Sequence, residues 1–315
     1  MPRVAVVGAG GMGSAVAAYL AAAHTPVVLV GRSPAHIEAI TARGLRVDSP
    51  DGTSQTVQLE ATTEPAAVAP ADHVIILTKS FDTREAAATA AAIAAPAAWI
   101  TTLQNGLGND AVLAETFGPE RVLPGTTTIG AERHEPGRIT LSGATAGGRC
   151  LTHIGPPRVP GGDLGGAAAL AELMTAAGLP TIATREIDDA IWTKLALAVM
   201  GPFSAIVGAM VIDTWNQPDA PPLLERLHDE VVAVATAEGV RLDRDESWKT
   251  AMTTYEATGR HFTSMASDIR YGRPTEIDSI TGEVVRRAHT HGIPVPVAET
   301  VVGLLRIAER ARVRN

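Results

Sequence analysis

Short unbroken apolar runs recur along the first half of the chain, at 4–7 (VAVV), 27–30 (VVLV), 73–77 (HVIIL), 99–101 (WIT) and 122–123 (VL). Between them lie alanine-rich stretches at 14–23, 34–43, 83–93 and 109–117 that read as helices. Strands alternating with helices of that length predict βαβ units and a parallel sheet. The runs do not alternate apolar with polar residues, as expected when helices cover both faces of the sheet.

The pattern then changes. Residues 130–162 are rich in Gly, Pro, Thr and Arg and read as short, irregular strands that finish the sheet. From Leu164 onward the pattern is almost entirely helical. Pro218, Pro221 and Pro222 mark one break, and Gly239 and Gly259 mark others as helix ends. The boundary falls near 180–187, giving domains of 1–183 and 184–315. The expected class is α/β, with an N-terminal Rossmann-type parallel-sheet domain followed by an all-helical C-terminal domain.

One segment of the second part stands out. Lys194, in IWTKL, is the only charge between Asp189 and Asp213, and the run 195–212 that follows it is uncharged. That run is near the lower limit for a membrane span, but Gly201-Pro202 breaks it and no second span exists. A buried pair of core helices is expected there instead.

Composition narrows the function classes. The 315 residues suit two domains, and 45% hydrophobic with 19% charged residues is a globular balance. Aromatics are only 3%, so the core is aliphatic and packed through small side chains. A net charge of −8 without a Lys/Arg run argues against nucleic acid and anionic membranes as partners. The single cysteine, Cys150, permits no intrachain disulfide and suits a cytoplasmic location. The chain reads as a strand from its third residue, so no secretory leader is expected.

The first strand runs directly into Gly8-Ala9-Gly10-Gly11-Met12-Gly13 and then into a helix. GxGxxG in that context indicates dinucleotide binding. Gly8 permits the tight turn, Gly10 lets the backbone approach a pyrophosphate, and Gly13 lets helix and strand pack closely. The helix N-terminus adds N–H groups and a positive dipole end. At the end of the second strand NAD sites usually carry an acid, whereas this chain has Gly31-Arg32-Ser33. A guanidinium grips a 2′-phosphate that a carboxylate would repel, so the expected cofactor is NADP(H).

The ordered motifs resemble the ketopantoate reductase (2-dehydropantoate 2-reductase) family over nearly the whole chain. They are GAGGMG, TKS at 78–80, LQNGLG at 103–108, GTTTIGA at 125–131, IWTKL at 191–195 and SMASDIRYGRPTEIDSITG at 264–282. The resemblance implies an NADPH-dependent reductase of a 2-oxo acid. It implies Lys194 as general acid and Glu276 as the carboxylate that closes the site. Asn105 is implied at the nicotinamide and substrate, and Ser264 at the substrate. Arg32 and Lys79 are implied near the 2′-phosphate, and Ala131 and Glu276 join the glycine turn as cofactor contacts. The expected partners are a small-molecule substrate and, as an option left open, a second copy in a homodimer.

A lysine in an apolar setting suits carbonyl reduction, because its cation stabilises the developing alkoxide and then donates a proton. Desolvation by Leu195, Leu197 and Val199 is expected to lower its pKa. The sequence departs from the family pattern where asparagines are usual, with Ala198, Gly201 and Val211 in their place. Those residues favour an alternative substrate, a less polar ketone, lactone or imine. A non-catalytic NADPH-binding sensor is the alternative from another class, and retention of Lys194 with Glu276 weighs against it. His261 could line the pocket, but a lone histidine is more often structural. His289 and His291, two apart, do not share a helix face, so no metal site is expected.

Overall fold

The computed structural model describes residues 1–258 and 261–312, in two compact units. The first comprises 1–104 and 109–187, and the second comprises 105–108 with the chain from Asp188 onward. In the first unit the strands are β1 (Val4–Val7), β2 (Val27–Val30), β3 (Leu45–Asp48), β4 (Ser54–Val57), β5 (Glu60–Thr62), β6 (Ala71–Ile76), β7 (Ala94–Thr102), β8 (Val122–Thr127), β9 (Ala131–Glu135), β10 (Arg138–Leu141), β11 (Thr152–Ile154) and β12 (Thr181–Ala183). Its helices are α1 (Gly11–Ala22), α2 (Pro34–Arg43), α3 (Thr83–Ala91), α4 (Asn109–Phe117), α5 (Gly143–Ala146) and α6 (Gly165–Ala176).

Eight strands form the main sheet in the order β12-β11-β8-β7-β6-β1-β2-β5. Its pairs are parallel except β8 with β11. The unbroken apolar runs are explained by two cores, one on each face. Val4 and Val6 of β1 join Ala15 and Leu20 of α1 and Leu170 of α6. Ala5 and Val7, pointing the other way, join Ala86 and Ala90 of α3 and Leu113 of α4. Each fully buried valine contributes roughly 1.5–3 kcal/mol over an exposed one, so a polar residue anywhere in β1 would be costly.

The region expected to finish the sheet does so only in part. β11 joins the main sheet, but β9 and β10 pair with β3 and β4 in a separate four-stranded sheet, ordered β4-β3-β10-β9. The β9–β10 connection turns at Gly137, whose φ is +77°. Its N–H is accepted by Nδ1 of His36 at 2.9 Å. β12 is a short strand within the stretch read as helical. It carries the first unit to Ile187 rather than 183. The Thr184 N–H bonds the Ile154 carbonyl at 2.9 Å, and Ile187 packs on Gly155.

The second unit is helical: α7 (Ile187–Ala198), α8 (Gly201–Val207), α9 (Val211–Trp215), α10 (Ala220–Ala237), α11 (Arg244–Thr258), α12 (Ser264–Arg270), α13 (Thr281–His291) and α14 (Pro296–Arg312). The uncharged run folds as three pieces, not two: the end of α7, all of α8 and the start of α9. Pro202 sits in the first turn of α8, where its missing N–H costs nothing. Residues 187–207 are long and apolar enough to cross a membrane by length and composition, and half of that stretch is buried in the fold. Pro221 and Pro222 lie in the first turn of α10, and Gly239, at φ +78°, follows its end. Gly259 lies outside the described residues.

Candidate active site

The glycine turn sits between β1 and α1. Gly8 has φ +117°, and a Cβ there would lie 2.6 Å from the Leu77 carbonyl carbon. A Cβ on Gly13 would lie 1.9 Å from the Gly8 oxygen, so helix and turn touch as backbone. At Gly10 a Cβ would meet nothing within 4 Å, which leaves open space over the turn. No side chain caps α1 and its first turn holds no acid. These features fit a dinucleotide pyrophosphate: open space at the middle glycine, and a helix start with no side-chain cap and no acid in its first turn. Ala131 lies against the same turn, since a Cβ on Gly11 would come 2.1 Å from its carbonyl oxygen. Ala9 packs on Gly31 at the end of β2, and Met12 is half-buried against the first core.

Arg32 follows Gly31 and is exposed, but it is not alone. Its Nη2 donates to Oδ2 of Asp82 at 2.5 Å and its Nη1 to Oε2 of Glu85 at 2.6 Å. Both carboxylates lie just beyond Lys79, which is half-buried and caps the turn Ser80–Asp82. Gln104, buried at the end of β7, holds this turn. Its amide nitrogen lies 3.1 Å from Oγ1 of Thr78 and 2.9 Å from Oγ1 of Thr83.

A second cluster, of Lys194, Asn105 and Glu276, is built wholly within the second unit. Nζ of Lys194, on α7, donates to Oδ1 of Asn105 at 2.7 Å. Nδ2 of Asn105 lies 3.4 Å from Oε2 of Glu276, which is buried. The Asn-Gly pair is more than a turn. The Leu107 N–H bonds the Ser279 carbonyl at 2.9 Å, and a Cβ on Gly106 would lie 2.2 Å from that same oxygen. Burial pulls the Lys194 pKa down to about 8, and the Glu276 charge only partly opposes it. The side chain keeps some exposure, so desolvation has its effect on a residue that solvent still reaches.

Ser264 is exposed at the first position of α12, whose cap is Thr263. Of the three positions without amides, Ala198 is half-buried at the end of α7 and Gly201 is buried at the start of α8. Val211 is fully buried within the apolar core of the second unit. The carbonyl of His261 accepts the Val211 N–H at 3.0 Å. His289 and His291 pair with different carboxylates, those of Glu299 and Glu238.

The family model described as ketopantoate reductase PanE/ApbA matches residues 4–150, and its C-terminal counterpart matches 186–309. The chain belongs to the ketopantoate reductase family. A 2-dehydropantoate 2-reductase of Halobacterium salinarum is 38% identical over 98% of this chain and 99% of its own length. A solved ketopantoate reductase of this family from Ralstonia eutropha is 31% identical, with TM-score 0.87 over 98% of this chain and 99% of that one. That of a 2-dehydropantoate 2-reductase from Geobacter metallireducens is 28% identical, with TM-score 0.89 over 97% and 99%. As a ketopantoate reductase family member the chain is an oxidoreductase that works with a nicotinamide cofactor on a small molecule.

Several residues around these sites were not apparent from sequence. Gln104 stands inside the quoted LQNGLG, and a buried amide at a strand end was the available signal. Arg133 donates to the Ala9 carbonyl at 3.3 Å and so braces the glycine turn from β9. Asp82 and Glu85 carried no signal, because only folding places them on Arg32.

Proposed function

We propose that this ketopantoate reductase family member is a cytoplasmic, NADPH-dependent reductase of a 2-oxo acid, with Lys194 as proton donor. The observation that carries the reading is the Lys194–Asn105 bond of 2.7 Å beside buried Glu276, with the lysine pKa brought to about 8. Held at the glycine turn, a nicotinamide cofactor would supply the hydride for the carbonyl carbon. Lys194 is still mostly protonated near pH 7, so it stabilises charge on the carbonyl oxygen and then transfers its proton there. Asn105 accepts from one ammonium N–H and so fixes the direction of the other two. Glu276 favours the charged lysine, which keeps desolvation from stripping the proton. In this reading Gly8, Ala9, Gly10, Gly11, Met12, Gly13 and Ala131 hold the pyrophosphate region, Arg32 and Lys79 the 2′-phosphate, and Ser264 the substrate.

NADPH oxidation in the presence of ketopantoate tests the reaction. Lys194→Ala should lower turnover by about two to four decades, the worth of general acid catalysis, and leave cofactor affinity nearly intact. Near wild-type turnover would remove Lys194 from the chemistry. Apolar Ala198 and fully buried Val211 favour a second reading, a less polar ketone, lactone or imine. Ketopantoyl lactone, bulky 2-oxo acids and cyclic imines in the same assay separate the two by kcat/KM. A homodimer belongs to the proposal on the exposure of Leu304 (46%) and Ile307 (63%) along α14, and sedimentation velocity checks it.

A further inference from the structure

We propose that Asp82 and Glu85 are specificity-determining residues that oppose Arg32, so that the preference for the 2′-phosphorylated dinucleotide is shallow and NADH remains a usable cofactor. The inference rests on the reading that the adenosine ribose lies at Arg32. The guanidinium offers its two terminal nitrogens to a phosphate, and here each is engaged by a carboxylate, at 2.5 Å and 2.6 Å. One cation facing two anions leaves the Arg32 trio with net charge −1, and Lys79 on the same segment brings the group only to neutrality. A phosphate brings a further charge of roughly −1.5 to −2. It must displace or share the carboxylate bonds, and it meets repulsion as well as attraction. A ribose with a free 2′-hydroxyl meets neither penalty, and a carboxylate accepts its O–H as the acid of an NAD site does.

Asp82 has the larger part of this effect. It is only 21% exposed, against 58% for Glu85, so its charge is less screened. Its position is also fixed. The Asp82 N–H bonds the Lys79 carbonyl at 2.9 Å, and Gln104 pins Thr78 and Thr83 on either side. Glu85 stands in the first turn of α3, where its negative charge complements the helix start. The acids are thus built into the segment that carries Lys79.

Binding of NADPH and NADH, followed by nicotinamide fluorescence, tests the proposal in wild type, Asp82→Asn, Glu85→Gln, the double variant and Arg32→Ala. The Asp82 side chain caps no helix N–H, so asparagine there should fold normally, and a melting curve confirms it. An unopposed charge-assisted phosphate contact separates the two cofactors by roughly 10- to 150-fold. With both acids in place the wild-type ratio should be about 3- to 10-fold. Asp82→Asn should tighten NADPH by about 2- to 5-fold, the scale of a surface charge pair, with NADH unchanged or weaker. Glu85→Gln should do the same to a smaller degree. Unchanged or weaker NADPH binding in the double variant overturns the inference, and if Arg32→Ala still lowers the NADPH preference the cofactor reading stands without it. An Arg32→Ala variant with the wild-type ratio overturns the cofactor reading itself.

Discussion

At the scale of single residues, Lys194 is governed by two opposed effects of unequal size. Burial lowers its pKa and the Glu276 carboxylate raises it, and the outcome near 8 shows that burial prevails. The free enzyme's kcat/KM should therefore be flat below pH 8 and fall about tenfold per unit above it, as the donor loses its proton. Glu276→Gln removes the charge that supports the cation, so the falling limb should move to lower pH. A pH profile of both enzymes checks the sign. A limb that stays in place would mean that Glu276 does not act on Lys194. An oily segment carrying one ammonium is what lowers the pKa of Lys194 to about 8, the condition that the proposed donor role needs.

At the scale of elements, the loop 105–108 shows how backbone conformation holds the Asn105 side chain of the proposed site. Gly106 has φ +85°, and its missing Cβ makes room for the Ser279 carbonyl; Gly108 has φ +82° but its nearest neighbour would be 3.8 Å away. Gly106→Ala should cost about 1–3 kcal/mol of strain and displace Asn105, lowering kcat as well as Tm. Gly108→Ala carries the φ penalty alone and should cost about 1 kcal/mol with little effect on kcat. Melting curves and turnover for the pair separate the close approach from the dihedral. Elements of this kind were unevenly legible in sequence. β1, β2, α2 and α4 were bounded as observed, because long one-type runs end there at glycine or proline. β3, β4 and β5 were not seen, because they are short and partly exposed, and β4 shows only Val57 to the core. β3 pairs with β10 and β5 with β2, and no local pattern reports partners so distant in sequence. The glycine turn was legible from spacing, and Lys194 and Glu276 from the family motifs. The acids on Arg32 were not, since contact across 50 and 53 residues has no periodicity.

At the scale of the whole molecule, buried neutral histidines set the response to acid. His36 is fully buried, with Nδ1 accepting from Gly137 and Nε2 left to donate to Ser14 Oγ at 3.1 Å. It thereby joins α2 to α1 and to the β9–β10 turn. Burial, aided by the Arg133 charge, lowers its pKa from 6.5 to about 4. Burial also lowers the pKa of His73 in the first unit and of His228 in the second. In each case the unfolded chain takes up a proton near pH 6.5 and the folded one does not. Stability is therefore complete above that pH and is lost as pH falls towards the folded values. For His36 alone the span from 6.5 to about 4 corresponds to about 3 kcal/mol. The window is distinct from that of Asp48, whose pKa is lowered first by the Ser54 hydroxyl and then by Arg46 and Arg138. Its contribution is lost only below pH 3.8. Because the histidines lie in both units, acid should weaken both, and Tm should fall between pH 7.5 and pH 5. His36→Gln cannot gain this charge. It should melt lower than wild type at pH 7.5, where the two hydrogen bonds are impaired, yet lose less between pH 7.5 and 5. Equal losses in the two proteins over that interval would show that His36 does not govern the acid limb.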